Sequence, residues 1–259
     1  MLQIQNYVRV KSADEAIELL DKNPSNQIIG GMMWLRMQTR RVQTAIDICD
    51  LGYDKIEADE KGFRIGAMCT LRDIETHVEL NEHFRHMIRD CVQDIVGVQF
   101  RNGATLGGSI YARFGFSDVL CAFAALRCEV HLHKAGVVSL EDYIQAPYER
   151  DLITHIYLHR MPNACAFTSV RKSATDLPVL NAAASKYQDS YRIVIGSRPH
   201  KAAIYEVPVG DIEKIASDLS ERVEVGDNMR GSGAYRKKLV KACVLRVLTK
   251  IESEDSSCE

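Results

Sequence analysis

In this 259-residue sequence the residues that most invite chemistry are glycines rather than acids or bases. Gln99 to Asp118 reads Gln-Phe-Arg-Asn-Gly-Ala-Thr-Leu-Gly-Gly-Ser-Ile-Tyr-Ala-Arg-Phe-Gly-Phe-Ser-Asp, with Gly103, Gly107 and Gly108 ahead of Ser109. Glycine takes positive φ without steric cost and has no side chain to hold a neighbour away. Such a run either turns tightly or lets something approach closely. A second pair, Gly30-Gly31, follows the apolar Gln27-Ile28-Ile29 and precedes Met32-Met33-Trp34-Leu35, the pattern of a strand breaking into a loop. Main-chain N–H groups in loops of this kind form anion-binding concavities. Two of them suit a pyrophosphate gripped from two sides, and on residue types alone they serve equally as plain turns.

Other chemistries find less support. A Rossmann site needs G-x-G-x-x-G between a strand and a helix, with an acidic residue about 20 positions on, and neither glycine loop has that spacing. His131 and His133 lie two apart on one face of an expected strand, with Cys121 and Cys128 upstream, but the spacing matches no standard zinc pattern. The eight cysteines include no C-x-x-C and no dense framework, so they read as reduced core thiols. No Ser/His/Asp set and no paired carboxylates stand out, and neither a catalytic nor a metal-ligating residue is assigned.

The elements that must hold the loops are read from periodicity. A strand over 7–10 leads to Ser12-Ala-Asp-Glu15, a capping box, and Ala13, Ala16, Ile17 and Leu20 form one stripe of a helix ending near Asn23-Pro24. Thr44–Ile48 and Gly62–Ala67 read as strands, and Thr70-Leu-Arg-Asp73 as the next helix start, with Met87, Ile88, Cys91, Val92 and Ile95 at helical spacing. Residues 119–126 are apolar all round, a buried helix for which Asp118 is the expected N-cap. Strands over 129–133 and 152–158 precede Met161-Pro162, taken as the boundary between domains at 1–161 and 162–259. Beyond it come strands at 166–170, 180–187 and 191–195, the last two joined as a hairpin, then helices at 211–223 and 234–251. That order of strands and then helices is α+β, and the polar tail from Ser253 reads as frayed.

A formal net charge of -2 gives no electrostatic case for nucleic acid or anionic lipid. No basic segment followed by an apolar one opens the chain, and no stretch approaches a membrane span. The expected setting is the cytoplasm, with no membrane and no nucleic-acid partner.

Arg101-Asn102-Gly-Ala-Thr105-Leu-Gly107-Gly108-Ser109 with Asp118 resembles the R-N-x-x-T-[IL]-G-G-N…D signature of the FAD-binding subunits of molybdenum hydroxylases, the xanthine dehydrogenase and carbon monoxide dehydrogenase family. Ile28-Ile29-Gly30-Gly31 is similar to that family's A-G-G-T-D loop, and Arg64-Ile-Gly-Ala-Met-Cys-Thr-Leu to its I-G-A-x-T strand. Ala166 to Asp176 is similar to its second-domain entry strand, and Arg230-Gly-Ser-Gly-Ala-Tyr235-Arg236 to its R-x-S-x-x-Y-R. The resemblance implies a PCMH-type FAD-binding domain of two subdomains over 1–161 and a CO-dehydrogenase-flavoprotein-like α+β domain over 162–259. It implies FAD contacts at Gln27, Ile28, Ile29, Gly30, Gly31, Met32, Met33 and Trp34, at Thr105, Leu106, Gly107, Gly108 and Ser109, and at Asp118. Less directly it implies contacts at Ile95 near the isoalloxazine, Ile153 on an adenine-side strand, and Thr168. It further implies a flavoprotein subunit that takes electrons from a 2Fe-2S small subunit serving a molybdopterin-binding large subunit, and passes them through FAD to NAD or another acceptor. Partner chains in turn imply exposed apolar docking surface.

The departures are specific. Met32-Met33 stands where the family has Thr/Ser-Asp, so thioethers, weak acceptors at best, replace a hydroxyl and a carboxylate. Ser109 replaces Asn, and Phe114-Gly-Phe116 replaces a stretch with proline. They motivate a rival reading, a flavin-poor structural subunit of the same kind of complex. A free-standing flavin oxidase is a third reading, set against the roughly 100 residues that remain after Met161.

Overall fold

The computed structural model describes residues 1–255, so residues 256–259, most of the tail expected to fray, lie outside the described residues. Two compact units interleave along the chain. The first holds Met1–Asp73, Val98–Ala112 and Glu129–Leu158; the second holds Ile74–Gly97, Arg113–Cys128 and everything from His159 onward. The segments 74–97 and 113–128 thus pack with the C-terminal part of the chain.

In the first unit, β1 (Gln3–Arg9), β2 (Gln27–Ile29) and β3 (Arg41–Asp47) form a sheet in the order β1-β3-β2, with β3 parallel to both neighbours. Parallel neighbours need a crossover, and the helix Ala13–Lys22 supplies one between β1 and β2. Ser12 Oγ accepts the Glu15 N–H at 3.1 Å, and the Glu15 carboxylate reaches back to the Lys11 N–H at 2.8 Å, closing the box one residue earlier than the usual pattern. Ala16 and Leu20 from the expected stripe pack with Val10, Ile46, Ile48 and Leu152, flanked by Ala13 and Ile17. A second sheet takes β4 (Ile56–Ala58), β5 (Gly62–Gly66), β6 (Cys128–Leu132), β7 (Gly136–Ser139) and β8 (Ile153–His159) in the order β4-β5-β8-β6-β7. β7 went unread because its four mostly exposed residues leave almost no apolar alternation to detect, whereas the six-residue helix Leu140–Gln145 after it, also missed, does carry a signal in its Ser139 cap and in Leu140, Tyr143 and Ile144.

The second unit is an antiparallel sheet of β9 (Ala164–Val170), β10 (Leu180–Tyr187), β11 (Ser190–Gly196) and β12 (Ala203–Pro208), in the order β12-β11-β10-β9. Side chains alternate across a strand. Leu180, Ala182 and Ala184 therefore join the core under the helices Ile212–Arg222 and Gly233–Asp255, along with Val240, Val244 and Leu248. The intervening Asn181 and Ser185 face the helix Asp118–Ala125, where Ser185 Oγ donates to the Ala125 carbonyl at 2.5 Å and Asn181 Nδ2 to the Asp118 carboxylate at 2.7 Å. β10 is buried on both faces, which explains its run of small residues. Every residue of the helix Asp118–Ala125 is buried, so its apolar circumference is accounted for. Each fully buried Leu, Ile or Val side chain contributes about 1.5–3 kcal/mol to this core.

Arg236 makes the last motif intelligible. Its guanidinium is fully buried and donates to the carbonyls of Val179, Ser197, Gly226 and Gly231 and to Asn228 Oδ1. Five acceptors from three chain segments converge on one planar fork. It ties the loop before the last helix to the sheet.

Candidate functional site

Gly30, Gly31, Gly103, Gly107 and Gly108 all lie outside the left-handed region; the residue that adopts it is Met32, at φ 57°. The glycines are there for close approach of chain to chain. A Cβ on Gly31 would sit 1.3 Å from the Gly103 carbonyl oxygen, one on Gly107 2.7 Å from both Cβ and O of Ala67, and one on Gly30 2.9 Å from Thr105 Oγ1. The loop after β2 and the stretch 103–108 therefore lie directly against each other within the first unit. The sequence pattern reported two loops, and the missing side chains report their contact.

The main-chain donors are divided unevenly between them. The amides of Leu106 and Gly107 bond the carbonyls of Cys69 and Ala67, that of Gly108 bonds Thr105 Oγ1, and that of Ser109 bonds the Thr105 carbonyl. Thr105 caps the helix Leu106–Tyr111. The expectation that the amides of this loop all face an anion is corrected accordingly, since the fold uses those after Thr105 itself. The amides of Gly30, Gly31, Met32 and Met33 have no partner among the described residues. Unpaired N–H groups in a loop of this kind suit an anionic oxygen.

Beside Gly30 opens a cavity of about 80 Å³ inside the first unit. Gly30, Thr105, Gly107 and Gly108 line it together with the apolar side chains of Leu20, Ile48, Leu152 and Ile153. Gln27 and Ile28 also line it. Of the other expected contacts, Ile29 is core with Val42 and Ala45, and Met32 packs on that cluster. The Met33 thioether covers Gly103, and Trp34 meets Phe100 edge to face at 5.9 Å. Leu106 is fully buried, and Ser109 Oγ donates to the Thr105 carbonyl. Sequence reasoning missed Tyr111, Met68, Asp151 and Leu152, all of which line the cavity. Tyr111 had a signal: it is three residues from Gly108 and four from Gly107, on the same helical face.

Asp118, Ile95 and Thr168 fall in the second unit. The helix Asp118–Ala125 is capped by Ser117, whose Oγ accepts the Leu120 N–H at 3.1 Å, so the expectation that Asp118 is the cap is corrected. Asp118 is instead the first helical residue, its carboxylate buried and held by Arg171 at 2.5 Å and Asn181 at 2.7 Å. Burial raises its affinity for a proton, and both partners oppose that rise. Ile95 follows the helix Met87–Val92, and Thr168 pairs with Ala182 between β9 and β10.

The two histidines separate. His131 stacks on His155 with ring centroids 4.0 Å apart, while His133 bonds Asp14 at 2.8 Å. Among the described residues no group of three His, Cys, Asp or Glu side chains is placed to hold a metal, and no helix is long and apolar enough to cross a membrane.

The residues fit a flavin dinucleotide. The unpartnered amides of Gly30 to Met33 can donate to its pyrophosphate, and the mixed glycine and aliphatic lining of the cavity lets a ligand approach the backbone closely. Sequence comparison points the same way. The uncharacterized protein YgfM of Escherichia coli K12 is 27% identical over 241 residues, 90% of this chain and 91% of YgfM. The glyceraldehyde dehydrogenase medium chain of Sulfolobus acidocaldarius is 25% identical over 281 residues, 95% of this chain and 98% of that one. Among solved structures, carbon monoxide dehydrogenase from Hydrogenophaga pseudoflava superposes with a TM-score of 0.85 at 17% identity, covering 96% of this chain and 97% of that one. Quinoline 2-oxidoreductase from Pseudomonas putida 86 gives 0.83 at 22%, with the same coverage. Those likenesses establish the fold. Residues 2–160, which contain both glycine loops and every residue lining the cavity, match the FAD binding domain in molybdopterin dehydrogenase, and this chain belongs to that family of flavoproteins, whose cofactor is FAD.

Proposed function

We propose that this chain is the medium, electron-transferring subunit of a molybdenum hydroxylase complex. In this reading a molybdopterin-binding large subunit oxidises the organic substrate and a 2Fe-2S small subunit delivers the electrons. This chain passes them through FAD to NAD or another acceptor, in the cytoplasm, and does not turn over the organic substrate alone. Residues 1–161 form the FAD-binding domain and 162–259 the C-terminal domain. The relative named as a medium chain supports the subunit role. The observation that carries the reading is the cavity lined by Gly30, Gly107 and Gly108 where the unpaired amides of Gly30 to Met33 begin.

When bound, FAD supplies the redox chemistry, and the protein supplies position and environment. Gly30 to Met33 would hold the pyrophosphate by main-chain N–H groups, so replacing the family's Thr/Ser-Asp by Met32-Met33 removes side-chain acceptors and leaves these donors in place. Thr105, Gly107 and Gly108 set the distance of closest approach. Leu20, Ile48, Leu152 and Ile153, which line the cavity, would exclude water from a part of the cofactor bound there.

The second reading, a flavin-poor structural subunit, draws on one observation: the Met33 thioether lies over Gly103, where a polar side chain would otherwise face the loop. An anaerobic mixing experiment separates the two. FAD-loaded chain is combined with the molybdopterin and 2Fe-2S chains and an oxidisable heterocycle or aldehyde. Loss of the flavin band that requires both partner chains supports electron transfer. A complex that assembles and turns over with an artificial acceptor while this chain stays flavin-free supports the structural role.

A further inference from the structure

A second cavity, of about 250 Å³, opens in the second unit, and every residue lining it belongs to that unit. Its walls come from separate loops. Phe116 stands in the stretch where Phe114-Gly-Phe116 replaces the family's proline, and its ring stacks on that of Phe114 with centroids 4.9 Å apart. Ser197 and Pro199 follow β11, Arg230 precedes the last helix, and Leu177 and Pro178 lie ahead of β10. These loops hold one another. The Ser197 N–H donates to the Gly115 carbonyl at 2.7 Å, and a Cβ on Gly115 would sit 2.3 Å from the His200 carbonyl oxygen. Arg198 donates to the carbonyls of Lys201 and Glu224, its own carbonyl accepts the Gly226 N–H, and buried Arg236 ties Ser197 to Gly226, Asn228 and Gly231. Ser197 is kept at φ 56°, a left-handed conformation that a residue other than glycine holds only where its surroundings enforce it. The cavity is therefore preformed, as ligand sites usually are.

Two of the lining residues carry polar atoms that the fold leaves unmatched. Ser197 is 5% exposed, and neither its Oγ nor the buried Nε of Arg230 has a hydrogen-bond partner among the described residues. The Arg230 guanidinium approaches Asp176 Oδ1 only to 3.8 Å, beyond hydrogen-bond reach, and that oxygen already accepts the Leu177 N–H at 2.7 Å. Buried donors without acceptors are rare in native folds and call for an explanation. A guanidinium in want of acceptors matches the planar pair of oxygens of a carboxylate. Asp176 offsets part of the Arg230 charge, so the site balances one negative charge better than two. Phe116, Leu177, Pro178 and Pro199 supply an apolar surface for the body of the ligand, and an aromatic wall favours a flat one.

We propose that this cavity binds a small aromatic monocarboxylate, its carboxylate on Arg230 and Ser197 and its ring against Phe116. The proposal stands apart from the FAD-site reading. The test is calorimetric titration of the full chain, with and without added FAD, using benzoate, its neutral isostere benzamide, acetate and inorganic phosphate. Benzoate should bind the wild type roughly tenfold more tightly than benzamide, the scale of a hydrogen bond to a charged group. It should also outbind acetate, which lacks the ring, and phosphate, which brings more charge and no ring. Arg230→Gln should weaken benzoate roughly tenfold and leave benzamide unchanged. Ser197→Ala, the loss of one hydroxyl, should weaken benzoate about threefold, and it carries the test should Arg230→Gln not fold. Benzoate held no better than benzamide, or held equally by the wild type and both variants, overturns the assignment. Phosphate or acetate binding as tightly as benzoate overturns the aromatic monocarboxylate as the ligand class. The same ranking is expected with and without FAD, so a chain that takes up no flavin yet discriminates benzoate from benzamide brings down the FAD-site reading and leaves this one standing.

Discussion

Gly31 offers the sharpest perturbation of the site. An alanine Cβ there would lie 1.3 Å from the Gly103 carbonyl oxygen and 2.4 Å from its carbonyl carbon, against an ordinary contact of 3.4 Å or more. One of the two loops must therefore move by about 2 Å, and the obstacle is backbone, which cannot swing away as a side chain tip can. Overpacking of a well-filled site costs typically about 1–3 kcal/mol, and Gly31→Ala belongs at the upper end. The same shift drags the amides of Gly30 to Met33 out of register with each other, so FAD affinity should fall at least tenfold, about 1.4 kcal/mol. Gly210→Ala is the control, because nothing lies within 4 Å of its added Cβ and its φ is ordinary. Urea unfolding and FAD titration of the two variants give the comparison. A Gly31→Ala protein as stable as Gly210→Ala, with wild-type FAD affinity, would refute the argument that these glycines exist for loop-to-loop contact.

Three further outcomes follow from buried polar groups. Asp118→Asn should cost about 3 kcal/mol in urea unfolding, because it leaves Arg171 buried without its counter-charge; pairing it with Arg171→Met should restore part of that, and additive losses would contradict the pairing. Arg236→Lys should lower stability by about 3 kcal/mol, since an ammonium has three donors and no planar fork for the five acceptors gathered there; an unchanged thermal midpoint would show that the fork is dispensable. Burial and the neighbouring His131 press the His155 imidazole down from 6.5 to about 4. The unfolded chain then takes up that proton first as pH falls, so stability should decline between pH 6.5 and about 4 and level off below, by about 2 kcal/mol after allowance for solvent screening. The difference between wild type and His155→Asn unfolding across that window isolates the effect, and parallel curves would refute it.

What the sequence made legible was local. The capping box at Ser12 and the stripe through Leu20 are spelled within a dozen residues, and both are present in the structure. The 187–190 hairpin is equally local, a two-residue turn between alternating strands. Asp118 shows where local reading ends. Its neighbour Ser117 takes the cap role expected of Asp118, and the groups that hold Asp118, Arg171 and Asn181, lie 53 and 63 residues away. No spacing rule reaches that far. The glycine loops fall between these cases: residue type announced a constraint, while the kind of constraint, contact rather than positive φ, required coordinates. β12, an edge strand with partly exposed residues throughout, had no buried face to impose a pattern.

The central claim is that the loop after β2 still holds FAD with Met32 and Met33 in place. The visible spectrum of the purified chain after incubation with excess FAD, with quantification of the cofactor released by acid, tests it most directly. Oxidised-flavin bands at close to one FAD per chain are the expected result. A colourless chain that remains empty after reconstitution would contradict the account.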